Sequence, residues 1–254
     1  METAAAFFES RRYASMLGAT TEFEKQEGIA VSQRHNKLWF TTSAIRNGMT
    51  NSAAYNFLRN DIDLPQNLCG GVMEVDLDKT WSGNKIRMLL TGDTTANTNA
   101  NNTCNLNNIS EPDNLFYVAG NLLIQEDTGR HENNVLWAYN VDSGSLTRVL
   151  SSPRLAEVSG LWSNVIKNFG YLTMAFQHPE EDLPSTSAAV VESQRGYMGY
   201  LGPIPSKYLN DKYTLTFTAI PAAVTPAEKS AVVASAKVCI TKATKLTTKS
   251  GRRH

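Results

Sequence analysis

The feature that most constrains this chain is a recurring unit of two short β-like runs joined by a tight polar turn. Gly28–Val31 and Lys37–Ser43 flank the polar connector Ser32–Asn36. Gly71–Asp76 alternates apolar and polar residues, as a strand with one buried face should, and Lys85–Thr91 follows as its hairpin partner. Leu115–Val118 and Leu122–Gln125 are joined through Ala119-Gly120-Asn121. Val135–Val141 and Ser145–Leu150 flank Asp142-Ser143-Gly144, a further hairpin signal. Gly170–Phe176 reads as another strand, with a loop at Gln177–Pro184.

Two of these units share more than their outline. One reads E-G-I-A-V, turn, K-L-W-F-T-T-S; the other reads D-N-L-F-Y-V, turn, N-L-L-I-Q-E-D. In each, an acidic residue precedes a strand and a second strand ends in polar residues. Repetition of this kind, at about 40–50 residues per unit, is the mark of propeller blades. The expectation is an all-β chain: a β-propeller, small or partial, of three to four blades over residues 1–222. A short C-terminal helix and basic tail follow over 223–254, because Pro226–Thr244 carries Ala, Val and Lys at mixed helical spacing and Lys242–His254 is basic. Gly92–Asn108 is rich in Asn and Thr and reads as a long loop.

Composition excludes several classes. Hydrophobic residues make up 41% and charged residues 19%, enough for a packed core. Lys plus Arg equals Asp plus Glu at 24 each, so no basic footprint points to nucleic acid. No run approaches the ~18 apolar residues of a membrane span. The N-terminal stretch lacks the order of an export signal: Glu2 stands where positive charge is expected, and the apolar run Ala4–Phe8 is short. Cys69, Cys104 and Cys239 are widely spaced without a CxxC, so neither a zinc ribbon nor a disulfide framework is expected.

Propeller loops converge at one rim, so carboxylates at strand entries and exits can meet there. Hard cations such as Ca²⁺ need several oxygen ligands at ~2.3–2.6 Å. Glu27, Asp113, Glu126, Asp127 and Glu157 hold such positions. Lys25 lies two residues before Glu27, on the same face of an extended chain, where its cation can clamp an anionic group. His178 follows a strand and is a candidate ligand or acid–base group. There is no nucleophile elbow, Walker loop or dinucleotide fingerprint.

Four stretches together resemble the PhoX-type alkaline phosphatases: Gly18–Ile29, Pro112–Leu115 with Leu123–Thr128, Ala156–Gly160, and Phe176–Glu180. They cover about residues 10–185. The resemblance implies a six-bladed propeller, a secreted or periplasmic setting, and an iron–calcium site hydrolysing phosphate esters. It implies that Glu27 and Asp127 ligate metal, with Lys25 standing where the family's Arg-x-Glu motif has its phosphate-binding arginine. Lysine keeps the charge and loses the two-pronged fork. Glu157 and His178 fall in motifs typical of that family. The resemblance covers only the C-terminal half of such a protein, which implies a dimer or a missing N-terminal half that supplies further ligands. The two expectations are a calcium-dependent, iron-containing phosphomonoesterase and a catalytically degenerate propeller that binds calcium or protein.

Overall fold

The computed structural model describes residues 2–52, 54, 60–94, 101–184, 186–221, 233–234 and 238–242. Its strands form antiparallel sheets. β1 (Ile29–Ser32), β2 (Lys37–Thr42), β3 (Gly71–Leu77) and β4 (Gly83–Thr91) make a four-stranded meander. β5 (Pro112–Val118), β6 (Asn121–Glu126), β7 (Asn133–Asn140) and β8 (Leu146–Arg154) make a second, extended at the β8 edge by β13 (Val233–Ala234). β9 (Glu157–Ile166), β10 (Phe169–Gln177) and β11 (Tyr197–Pro205) make a third, with β10 central. β12 (Tyr213–Phe217) pairs with β14 (Val238–Lys242). The hairpins expected from the sequence are those observed, each in antiparallel register.

Turn chemistry explains the hairpins locally. Asn36 adopts a positive φ of 51°, which Asn tolerates better than most residues, and closes the β1–β2 turn. Gly120 closes the β5–β6 turn at φ 76°; a Cβ there would also meet the Thr214 side chain at 2.9 Å.

Three sheets stack in layers. Between the first and second lie Trp39, Val72, Leu122, Ile124 and Trp137. Between the second and third lie Leu123, Leu136, Val149, Leu172, Met174 and Phe176. The middle sheet is therefore covered on both sides, and every residue of β6 is buried. Strands buried on both faces lose the apolar–polar alternation, which is why Leu122-Leu123-Ile124 runs continuously apolar. The first strands of the layers, β1, β5 and β9, lie beside one another.

Two expectations are corrected. Where spacing suggested a helix over 226–244, Val233–Ala234 and Val238–Lys242 are strands. Val238, Ile240 and Thr241 are β-branched. The alternating partner Tyr213–Phe217 offers a ladder that the weak helical pattern cannot match. The remainder of 222–254 lies outside the described residues. The second correction is a disulfide, Cys69–Cys104, with Cα atoms 6.0 Å apart and both side chains fully buried. It joins the approach to β3 with the loop before β5. Sequence spacing carries no signal for it, because the 35-residue separation closes only through the stacking of the layers.

Among the described residues, three α-helices arise where none was expected. α1 (Glu2–Phe8) and α2 (Ser10–Met16) precede the first sheet, and α3 (Ala188–Ser193) lies between β10 and β11. The Ser187 hydroxyl caps α3 by accepting from the Val190 N–H at 3.3 Å.

Candidate active site at the first-strand ends

The segment leading into β1 is pinned from below. Glu22 is buried, and its carboxylate accepts the backbone N–H groups of Asp61 and Ile62 at 2.8–3.0 Å. Glu24 accepts from Arg46 and Asn47, both at 2.9 Å. Thr41 then joins this segment to β5: its hydroxyl accepts from Gly28 N–H at 2.9 Å and donates to the Asp113 carbonyl at 2.7 Å. A Cβ on Gly28 would stand 2.5 Å from that carbonyl, so only glycine lets the two backbones approach this closely. The consequence is that Glu27, just before β1, sits near Asp113, at the start of β5.

Two further carboxylates arrive by the same logic. Asp127 follows β6, which is registered against β5 through Pro112 and Glu126. Glu157 opens β9. Asp113 experiences the charges of Glu27, Asp127 and Glu157 together. Its carboxyl is pushed up to about 6, by burial first, then by Glu27 and Asp127, with Lys25 opposing. A carboxyl raised in this way contributes stability that is complete below the unfolded value near 3.8. That contribution is lost as pH rises through about 6. Asp113 Oδ2 accepts from the Asn114 side-chain amide, while the buried Oδ1 has no hydrogen-bond partner.

Lys25 adopts a positive φ of 42° and places its ammonium 3.2 Å from Asp127 Oδ2. Burial alone would lower its pKa, but the charge and hydrogen bond of Asp127 outweigh it and the net direction is upward. His178, also at positive φ, spans two carboxylates: Nε2 lies 3.3 Å from Glu157 and Nδ1 lies 3.1 Å from Glu181. Gln177 donates to the other Glu157 oxygen at 2.9 Å. A cavity of about 490 Å³ beside His178 is lined by Phe176, Gly196, Tyr197 and Met198.

Six of the seven sequence candidates thus share one end of the layers. The seventh, Glu126, does not join them. It is fully buried and takes four protein donors: Ser110 N–H at 2.9 Å, Val135 N–H at 2.9 Å, Trp137 Nε1 at 2.7 Å and His131 Nδ1 at 3.0 Å. Those donors match the roughly four lone-pair sites of a carboxylate. Sequence reasoning missed Thr41 and Glu181. The T-T-S that closes β2 was visible as a motif, but its hydroxyl partner is 72 residues away.

Among the described residues, no three His, Cys, Asp or Glu side chains converge closely enough to hold a metal ion. No helix among them is long and apolar enough to cross a membrane.

No protein-family model and no curated protein matches the chain. A solved structure does: Pseudomonas fluorescens PhoX in complex with vanadate, a transition state analogue, at a TM-score of 0.57 and 19% sequence identity. The match covers 81% of this chain and 37% of that one. The chain has a PhoX-like fold.

Proposed function

We propose that the chain carries part of a phosphomonoesterase site that takes a hard divalent cation of the calcium type. The observation that carries this reading is the buried, unpartnered Oδ1 of Asp113 amid the charges of Glu27, Asp127 and Glu157. Among the described residues, Lys25 is the cation whose charge opposes that cluster at Asp113. The donors are all oxygens, which suits Ca²⁺. Iron with a thiolate ligand fits less well, because Cys69 and Cys104 are joined to each other. Asp113 would hold the cation with the charges of Glu27 and Asp127 beside it, and because no three of these carboxylates converge on one point, the remaining ligands would come from outside this cluster. Bound there, it would polarise phosphoryl oxygens and offset charge.

The chain's own residues do the rest. Lys25, freed from Asp127, sets a point charge against a phosphate oxygen. His178, held between Glu157 and Glu181, is placed to pass a proton to a leaving oxygen. The open depression beside it, with Tyr197 and Met198 on its wall, is where the organic part of an ester would lie. We read the sheets as blades of a partial propeller, and the buried disulfide fits an oxidising, secreted or periplasmic setting.

A second reading is favoured by the Lys25–Asp127 ion pair and by the open spacing of the carboxylates. It is a binding module for a cation or a protein, without turnover. Hydrolysis of an aryl phosphate in Ca²⁺, before and after chelation, separates the two. The enzyme reading expects chelator-sensitive turnover that falls at least about 100-fold in Glu27→Ala and Asp127→Ala, the range seen when a group stabilising transition-state charge is removed. Folded wild type without turnover leaves the binding module.

A further inference from the structure

The loop after β10 carries three consecutive carboxylates, Glu180, Glu181 and Asp182, and divides them between two partners. Glu180–Leu183 form a turn closed by the Leu183 N–H, which donates to the Glu180 carbonyl at 3.0 Å. Glu181 lies 3.1 Å from His178 Nδ1. Glu180 and Asp182 turn instead to Arg154, the last residue of β8. Arg154 Nη1 donates to Glu180 Oε2 at 2.5 Å and to Asp182 Oδ1 at 2.7 Å, and Nη2 donates to Asp182 Oδ2. The backbone joins this clamp, since the Glu180 N–H donates to the Arg154 carbonyl at 2.9 Å. From the other side, the side-chain amide of Gln194, just after α3, donates to the carbonyls of Glu180 at 3.1 Å and Leu183 at 2.7 Å.

The arrangement fixes both partners of the His178 ring from one short segment. Arg154 stands three residues before Glu157, which lies 3.3 Å from His178 Nε2. The guanidinium itself is occupied: its third nitrogen, Nε, lies 3.7 Å from Glu132. Its influence on the site therefore runs through the loop. Without it, three neighbouring carboxylates would repel one another and compete for the imidazole. A guanidinium holds two carboxylates in a fixed geometry through its planar fork, which a lysine ammonium cannot do.

We propose that Arg154 is a positioning residue for His178. By binding Glu180 and Asp182 in one fork, it leaves Glu181 as the carboxylate that faces Nδ1 and so sets the orientation of the ring. The consequence for turnover rests on the phosphomonoesterase reading given above; the geometric claim does not.

The test is nuclear Overhauser contact between the His178 ring and the Glu181 side chain in the full chain, read beside aryl phosphate kinetics. Wild type should show the contact. Arg154→Gln should lose it while Val158–Phe176 contacts across β9 and β10 persist, which shows that the sheet is intact. Arg154→Lys should not restore it. Asp182→Asn opens the fork from its exposed side, so it answers the same question if Arg154→Gln does not fold. Misplacing a reacting group by about 1 Å can cost about 100-fold in rate. Arg154→Gln should therefore lower kcat about tenfold or more and leave KM within about threefold. Adding Glu181→Gln to Arg154→Gln should lower kcat less than about twofold further, because the two act through one contact. A contact absent from wild type, kept in both Arg154→Gln and Asp182→Asn, or regained in Arg154→Lys overturns the proposal. So do additive losses in kcat. Wild type without turnover contradicts the phosphatase reading alone, and the ring contact then decides the role of Arg154.

Discussion

Glu126→Ala is expected to cost about 3–5 kcal/mol of folding stability, the penalty for breaking a buried charged network by removing one partner. The substitution leaves Ser110 N–H, Val135 N–H, the Trp137 indole and His131 without their acceptor in a place that water does not reach. Each such donor carries a desolvation cost of about 1–3 kcal/mol if nothing rearranges to meet it. The damage extends to Arg148. Its guanidinium lies 4.4 Å over the Trp137 ring and donates to the Leu106 carbonyl; burial lowers its pKa, and the charge of Glu126 offsets part of that cost. Glu126→Gln keeps the shape but turns one acceptor into a donor facing N–H groups, so an intermediate loss is expected. Urea unfolding in chelator reads both. A loss below about 1 kcal/mol would show that the carboxylate is not the anchor of this network.

Reducing the Cys69–Cys104 disulfide is expected to lower stability by about 4 kcal/mol in the chain-entropy account, given the 35-residue loop it closes. The bond ties the first and second layers at the end where the candidate site lies. The Glu111 N–H donates to the Cys69 carbonyl at 2.8 Å, so the tether also holds the approach to Asp113. Both sulfurs are buried, so the comparison needs unfolding curves with and without reductant, started from the unfolded side. Coincident midpoints would remove the disulfide from the account and, with it, the support for an oxidising compartment.

Much of this was legible in the chain. The period-two runs and turn residues located β1 to β8 and β10, because those strands pair with sequence neighbours and their turns have local chemistry. β9, β11, β12 and β14 were not legible. β11 is reached only after an intervening loop and helix, and β12 finds its partner 25 residues downstream. The candidate site was legible as a set of acidic strand ends, and the layering brings Glu27, Asp113, Asp127 and Glu157 to one end. What strand position could not tell was direction along the pleat. Glu126 and Asp127 are neighbours in sequence, yet one points into the core network and the other toward Lys25. The disulfide and the Thr41 bridge depend on residues 35 and 72 positions apart, beyond the reach of any local pattern.

The central claim is that the charge concentrated around Asp113 is a cation site. Thermal unfolding of wild type and Asp113→Asn at pH 7.5, with chelator and then with excess Ca²⁺, tests it most directly. Without cation, Asp113→Asn should be the more stable protein. It removes a buried carboxyl that is ionised at that pH against burial and the charges of its neighbours, and whose oxygen is unpartnered. With Ca²⁺ at about 100 times its dissociation constant, wild type should gain roughly 2.7 kcal/mol and the variant much less. An equal Ca²⁺ response in both proteins, or none in wild type, would contradict the account.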